Sequence, residues 1–265
     1  MYGMRKQALV MVLLFGLFIG GPGSLKTSQA EEKPAFDGSV SLYSQYIWRG
    51  FEFSRDSVVI QPSLTVSYKG ISLNIWQNID TDPWSTSGNG STDNLNETDI
   101  TLAYGWQFGA WSAELGYIWY SLDQAYDSHE IYLSASYDTF LTPTLTIYRE
   151  FAHYPGTYIT LGVSHAIPVM GDMSLELGAE ISYLDSDDKG AYADPGDPDD
   201  EYSALHTALL SAALAVPINK YLSVSPELYV SLPLSDDAAD IISDTGMHQG
   251  REVNVFGGIT LSLSF

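Results

Sequence analysis

Apolar residues recur at every second position along most of this chain, and that period constrains the fold more than any other feature. Val58, Ile60, Pro62, Leu64, Val66 and Tyr68 share one phase. Ile100, Leu102, Tyr104, Trp106 and Phe108 share another, as do Trp111, Ala113, Leu115, Tyr117 and Trp119. Similar sets begin at Val40 (running to Trp48), Ile71, Ile131, Leu145, Ile159, Leu175, Ala208, Leu222 and Ile259. Successive side chains of a strand point to opposite faces, so each set is one greasy face of a β-strand. The spacing therefore predicts about twelve strands and no helix.

The opposite phase is small or polar: Gln61, Ser63, Thr65 and Ser67 on one segment, Thr160, Gly162 and Ser164 on another. A soluble sandwich alternates in the same way, with its apolar face inward, so the connections must decide. Long polar links such as 80–97, 184–201 and 235–252 alternate along the chain with short ones: 69–70, 108–110, 140–142, 168–172 and 218–220. The link HYPG (153–156) is the one short member of the long series. An up-and-down transmembrane barrel has this rhythm, with tight turns at one rim and longer loops at the other. Segments of about 9–12 residues also match the ~9–11 that a tilted membrane strand needs. Tyr46, Trp48, Tyr68, Trp106, Phe108, Trp111, Trp119, Tyr137, Tyr183 and Tyr221 sit near segment ends, as girdle residues at a lipid–water boundary do. The expected fold is all-β: an antiparallel up-and-down β-barrel of about twelve strands over residues 31–265.

Residues 1–30 read separately. Arg5 and Lys6 precede the apolar run 8–20, then a Gly-Pro-Gly break and Ser28-Gln29-Ala30. That is the layout of a secretory signal cleaved after Ala30. The 265-residue chain carries a formal charge of −22 and no cysteine. Disulfides, thiolate metal sites and a cysteine nucleophile are thereby excluded. The acidic balance argues against nucleic acid, which is bound through basic patches. No later stretch is apolar enough to span a bilayer as a helix, and a closed barrel is the other permitted form.

Within residues 41–80 the segments Tyr46-x-x-Arg49-Gly50-x-x-x-Ser54, then Gln61, then Trp76, Asn78 and Asp80 resemble the TorF-family porins of the bacterial outer membrane. Val59-Ile60-Gln61-Pro62 departs from that pattern, where a proline is expected before the glutamine. The resemblance implies an outer-membrane pore. The alternating end GGITLSLSF (257–265) is similar to the C-terminal signature of outer-membrane barrels, which implies that Phe265 is read by the barrel assembly machinery. Outer-membrane lipid and lipopolysaccharide are then the surrounding partners.

With the apolar phase on lipid, the other phase lines the lumen and holds Asp99, Glu114, Glu130, Asp138, Glu150, Glu176, Glu180 and Glu227. Arg49 opposes them, with Lys69 at a turn. A low-dielectric wall of one charge sign favours counter-ions, so passive diffusion of small polar solutes with a preference for cations is expected. The alternatives are a non-conducting structural or surface-binding barrel, with the carboxylates paired inside a packed lumen, and a lipid-modifying enzyme. Arg49 is expected to pair with an acid on a neighbouring strand, and Arg149, in the lipid-facing phase, to lie near the outer rim. Catalysis finds little support. Ser164-His165 and Ser128-His129 are adjacent, so within a strand each pair points to opposite faces. His206 and His248 lie in or beside loops rich in Asp. The loop 185–201 begins like an EF-hand, but Lys189 takes a ligand position and Gly196 replaces the bidentate glutamate. No catalytic residue, metal ligand or cofactor is assigned.

Overall fold

In the computed structural model, twelve of the strands close into one antiparallel barrel. The structure describes residues 33–55, 57–83, 94–123, 125–245 and 250–265. The signal segment, most of the link 80–97 and His248 lie outside the described residues.

The wall runs β1 (Ala35–Tyr43), β4 (Val59–Tyr68), β5 (Ile71–Asp80), β6 (Leu95–Phe108), β7 (Trp111–Leu122) and β8 (Ser128–Tyr137). It continues through β9 (Thr144–Glu150), β10 (Gly156–Pro168), β11 (Ser174–Ser186), β12 (Ser203–Pro217), β13 (Leu222–Pro233) and β14 (Asn254–Ser264). Each wall strand pairs with the wall strands before and after it, and β14 pairs with β1 from Asp37↔Ser264 to Tyr43↔Gly258. The backbone of Phe36 and that of Phe265 exchange hydrogen bonds at the seam's end. Gly258 is required there, because a Cβ at that position would lie 1.8 Å from the Leu42 carbonyl oxygen. The short links 69–70, 108–110, 140–142, 168–172 and 218–220 all fall at one rim, and the short link between β9 and β10 falls at the other. The tightest, Lys69-Gly70, has φ of 52° and 85°, the left-handed pair of a two-residue hairpin.

The pleat faces as the alternation predicts. Leu102, Leu133 and Leu177 are 53%, 49% and 42% exposed on the outer surface, while Asp99, Glu130 and Glu176 are buried inside. Tyr68, Phe108, Trp111, Tyr137 and Tyr221 are exposed towards the short-turn rim, and Trp119 and Phe151 towards the other. Ring pairs such as Phe108–Trp111 and Tyr221–Phe265 extend this band.

Two elements were not expected. The first apolar segment does not run on to Trp48. β1 ends at Tyr43, and the chain turns into the lumen as a hairpin of β2 (Ile47–Trp48) and β3 (Phe51–Glu52). Tyr46 is therefore buried inside and Trp48 is packed against the interior cluster, so neither belongs to the girdle. The β13–β14 link carries a helix, α1 (Asp236–Thr245). Its cap is legible in retrospect: Ser235 Oγ accepts from Ala238 N at 3.1 Å, and Asp236 and Asp237 fill the first turn. Ala238, Ile241 and Ile242 make its buried face.

Candidate functional site

The hairpin 44–58 forms because Arg49-Gly50 takes φ of 51° and 86°, positive at both central positions. That is a type I′ turn, whose twist suits a two-residue hairpin. Its neck is pinned by Phe53 N to Tyr46 O at 2.8 Å and by Tyr46 N to Ser54 Oγ at 2.7 Å. Ile47 and Phe51 are 0% and 1% exposed, so the hairpin fills the lumen near its long-loop rim.

The barrel wall grips the tip from several sides. Arg49 Nη1 and Nη2 reach the two carboxylate oxygens of Glu130 on β8, at 2.8 and 2.9 Å. Tyr120 donates to the same carboxylate at 2.7 Å. The guanidinium carbon lies 4.3 Å from the Trp48 ring centre, 4.2 Å from that of Tyr158 and 5.2 Å from that of Tyr148. His206 Nε2 donates to the Arg49 carbonyl at 2.8 Å, and His206 Nδ1 accepts from the Tyr202 hydroxyl at 2.9 Å; the two bonds together set this tautomer. Asn254 Nδ2 donates to Gly50 O at 3.2 Å. Behind the turn, Gln45 Nε2 and Arg251 Nη1 donate to Glu52 at 2.6 and 3.0 Å. Trp76 packs on Tyr46 with ring centres 5.7 Å apart, and Gln61 donates to Asn78, which donates to Asn96. The motif Tyr46, Arg49, Gly50, Ser54, Gln61, Trp76 and Asn78 thus gathers at and around one lumen insert. Arg49 does not pair with a neighbouring strand; its acid stands on β8, while the hairpin is rooted between β1 and β4.

Towards the short-turn rim the lumen is polar and less filled. Glu114 accepts from Tyr132 at 2.6 Å, and Glu227 accepts from Tyr229 at 2.8 Å and also from Tyr43. Glu180 is half-buried and Glu176 buried on the inner face of β11. Ser63, Thr65, Ser112, Ser225 and Gly162 are half-exposed on the inner faces, lining a cup open to that rim.

Other candidates fall elsewhere. Asp138 is exposed in the β8–β9 turn, because β8 ends at Tyr137, so it does not line the lumen. Glu150 accepts from Ser128 Oγ, Ala152 N and Tyr154 N at 2.6 to 2.9 Å, which shapes the link to β10. Arg149 sits one residue from the end of β9, bonded to Thr157 at 3.1 Å and paired with Asp187. Its guanidinium holds the Asp187 carboxyl below the usual range through that hydrogen bond. The loop 187–202 keeps most of its aspartates exposed, yet Tyr192 dips inward and stacks on Phe51 at 5.7 Å. His129 and His165 are on the outer face, stacked with Phe151 and packed against Phe140 respectively. His206 is instead fully buried in the lumen. Glu52, Glu97 and Arg251 were missed, since the first sits in an unforeseen hairpin. Glu97 extends β6 beyond its apolar repeat, and Arg251 lies in a link read as solvent.

A family model described as a bacterial protein of unknown function (Gcw_chp) matches residues 28–192, and the chain belongs to that family. That description does not name the TorF porins that residues 41–80 resemble. No curated protein matches the sequence. Among solved structures, the NanC porin aligns with TM-score 0.54 at 9% identity, over 87% of this chain and 98% of that one. The KdgM porin aligns with TM-score 0.52 at 13% identity, over 87% and 99%. An outer-membrane channel from Pseudomonas putida F1 aligns with TM-score 0.50 at 10% identity, over 89% and 97%. The fold is that of an outer-membrane porin.

Proposed function

We propose that this chain, from a family without an assigned role, is an outer-membrane channel for the passive diffusion of small polar solutes, with a preference for cations. The observation that carries the reading is the pleat. A closed barrel turns hydrocarbon outward and carboxylates, tyrosines and serines inward, and such a surface is stable only around a polar lumen. The short-turn rim is periplasmic by the rule for such barrels, so the acidic cup faces the periplasm. Its Glu114, Glu176, Glu180 and Glu227 raise the local concentration of cations. Solute then passes the hairpin, which sets the narrowest point. A structure of the KdgM neighbour is described in complex with disordered oligogalacturonate; a polyanion of that kind would meet like charge here. Export through the segment 1–30, and insertion into lipid and lipopolysaccharide by the assembly machinery acting on Phe265, complete the reading.

The test is single-channel recording in planar bilayers under a potassium chloride gradient. A reversal potential of the sign for cations supports the reading; anion selectivity ends it. A second reading is favoured by the burial of Ile47, Phe51 and Arg49: a barrel whose hairpin holds it shut, and silence in the same recording selects that one.

A further inference from the structure

The groups around Arg49 divide into two sets. The hairpin contributes the guanidinium and Trp48. The wall contributes the Glu130 carboxylate, the Tyr120 hydroxyl and the rings of Tyr148 and Tyr158. Without the hairpin, the wall set is still a complete cage for an organic cation: a carboxylate for a two-pronged hydrogen bond and two aromatic faces. We propose that this cage is a binding site for the guanidinium or ammonium group of a cationic solute, and that Arg49 occupies it as a tethered stand-in. The proposal rests on the channel reading and deepens it by naming the solute class.

Three further observations point the same way. The Tyr148 hydroxyl is buried and makes no hydrogen bond, so the cage holds an unused polar group. Asp99 Oδ1 is likewise buried and unpartnered. Glu97 and Asp99 on β6 are buried carboxyl groups, and Asp99 lies within electrostatic reach of Glu130. Thirdly, Tyr132, Tyr148 and Tyr158 are directly opposed across β8, β9 and β10. Their rings follow one another at 5.5 and 6.1 Å. This ladder starts beside Glu114 and ends at Arg49, so that aromatic faces continue from the cage across three adjacent wall strands.

The experiment uses full-length barrel with Arg49→Ala and methylguanidinium as the probe. Binding is read by Trp48 fluorescence against an Arg49→Ala/Trp48→Phe control, and flux separately in bilayers. The expected result is saturable binding to Arg49→Ala with a Kd on the order of 1 mM. Binding should be lost when Glu130→Gln is added, and weaker by about tenfold or more in the wild type, where Arg49 competes. A folded Arg49→Ala barrel that does not bind the probe overturns the proposal. If Arg49→Ala folds only with methylguanidinium in the refolding mixture, read by heat-modifiable migration, the proposal stands; if the probe does not restore folding, it falls. Binding without flux retains the cage and rejects the pore.

Discussion

Arg49 and Glu130 are 5% and 1% exposed, so their pair is held away from water on both sides. Removing one partner strands the other. Glu130→Ala should cost about 3–5 kcal/mol of unfolding free energy, whereas replacing both by apolar residues should be near neutral. Urea titration of detergent-solubilised barrel checks both. Gly50 is the other sensitive position. Its φ is +86°, and a Cβ would come within 2.6 Å of Thr207 Cγ2 and 3.0 Å of Ile242. Gly50→Ala should therefore destabilise by about 1–3 kcal/mol, visible as a lower temperature for loss of the folded band on gels. Arg149–Asp187 gives the contrast, since both side chains are about two-fifths exposed. After screening, Asp187→Asn should cost under about 1 kcal/mol and nothing at high salt. Because the native Asp187 carboxyl titrates below its unfolded value, that small gain is present at neutral pH and lost as pH falls through the native value.

At the scale of elements, the wall was legible in the sequence and the insert was not. A wall strand writes its two environments into alternate residues, so Leu102 against Thr101 or Leu133 against Ser134 announces lipid on one side and lumen on the other. The stretch 45–54 has no lipid side. Tyr46 and Trp48 keep the phase of β1 by coincidence, and a run buried all round carries no period to betray where the strand ends. Helix α1 was missed for a different reason: its apolar face is three residues wide and sits in a link dense with aspartate. Arg49 could be singled out as a rare cation, but its partner could not, because the ring brings β8 opposite the hairpin and no local spacing encodes that. The hairpin's separateness makes a prediction. β1 and β4 pair up to Tyr43↔Val59 without it. Replacing residues 46–54 by a short Gly-Ser linker should leave a folded barrel and raise its unitary conductance in bilayers; an unchanged conductance would mean that the constriction lies elsewhere.

For the whole molecule, the bilayer decides which substitutions are tolerated. Leu133 is in the middle of β8 on the outer face. Leu133→Arg should cost about 2–4 kcal/mol, while Ser225→Arg, on the inner face, should have no such cost and should lower the cation preference proposed above. Folding titrations read the first and reversal potentials the second.

The inward hairpin also acts as a caliper. Rooted between the first two wall strands, it touches β8 through Glu130, β12 through His206 and β14 through Asn254. Those three points are spread around the circumference, and they meet one rigid tip only at the present girth. A ring with two strands more would carry at least one of them out of reach, and one with two fewer would crush Phe51 and Ile47. The chain thus carries its own gauge of how wide it must close, and a variant lacking that tip should assemble with a broader spread of diameters.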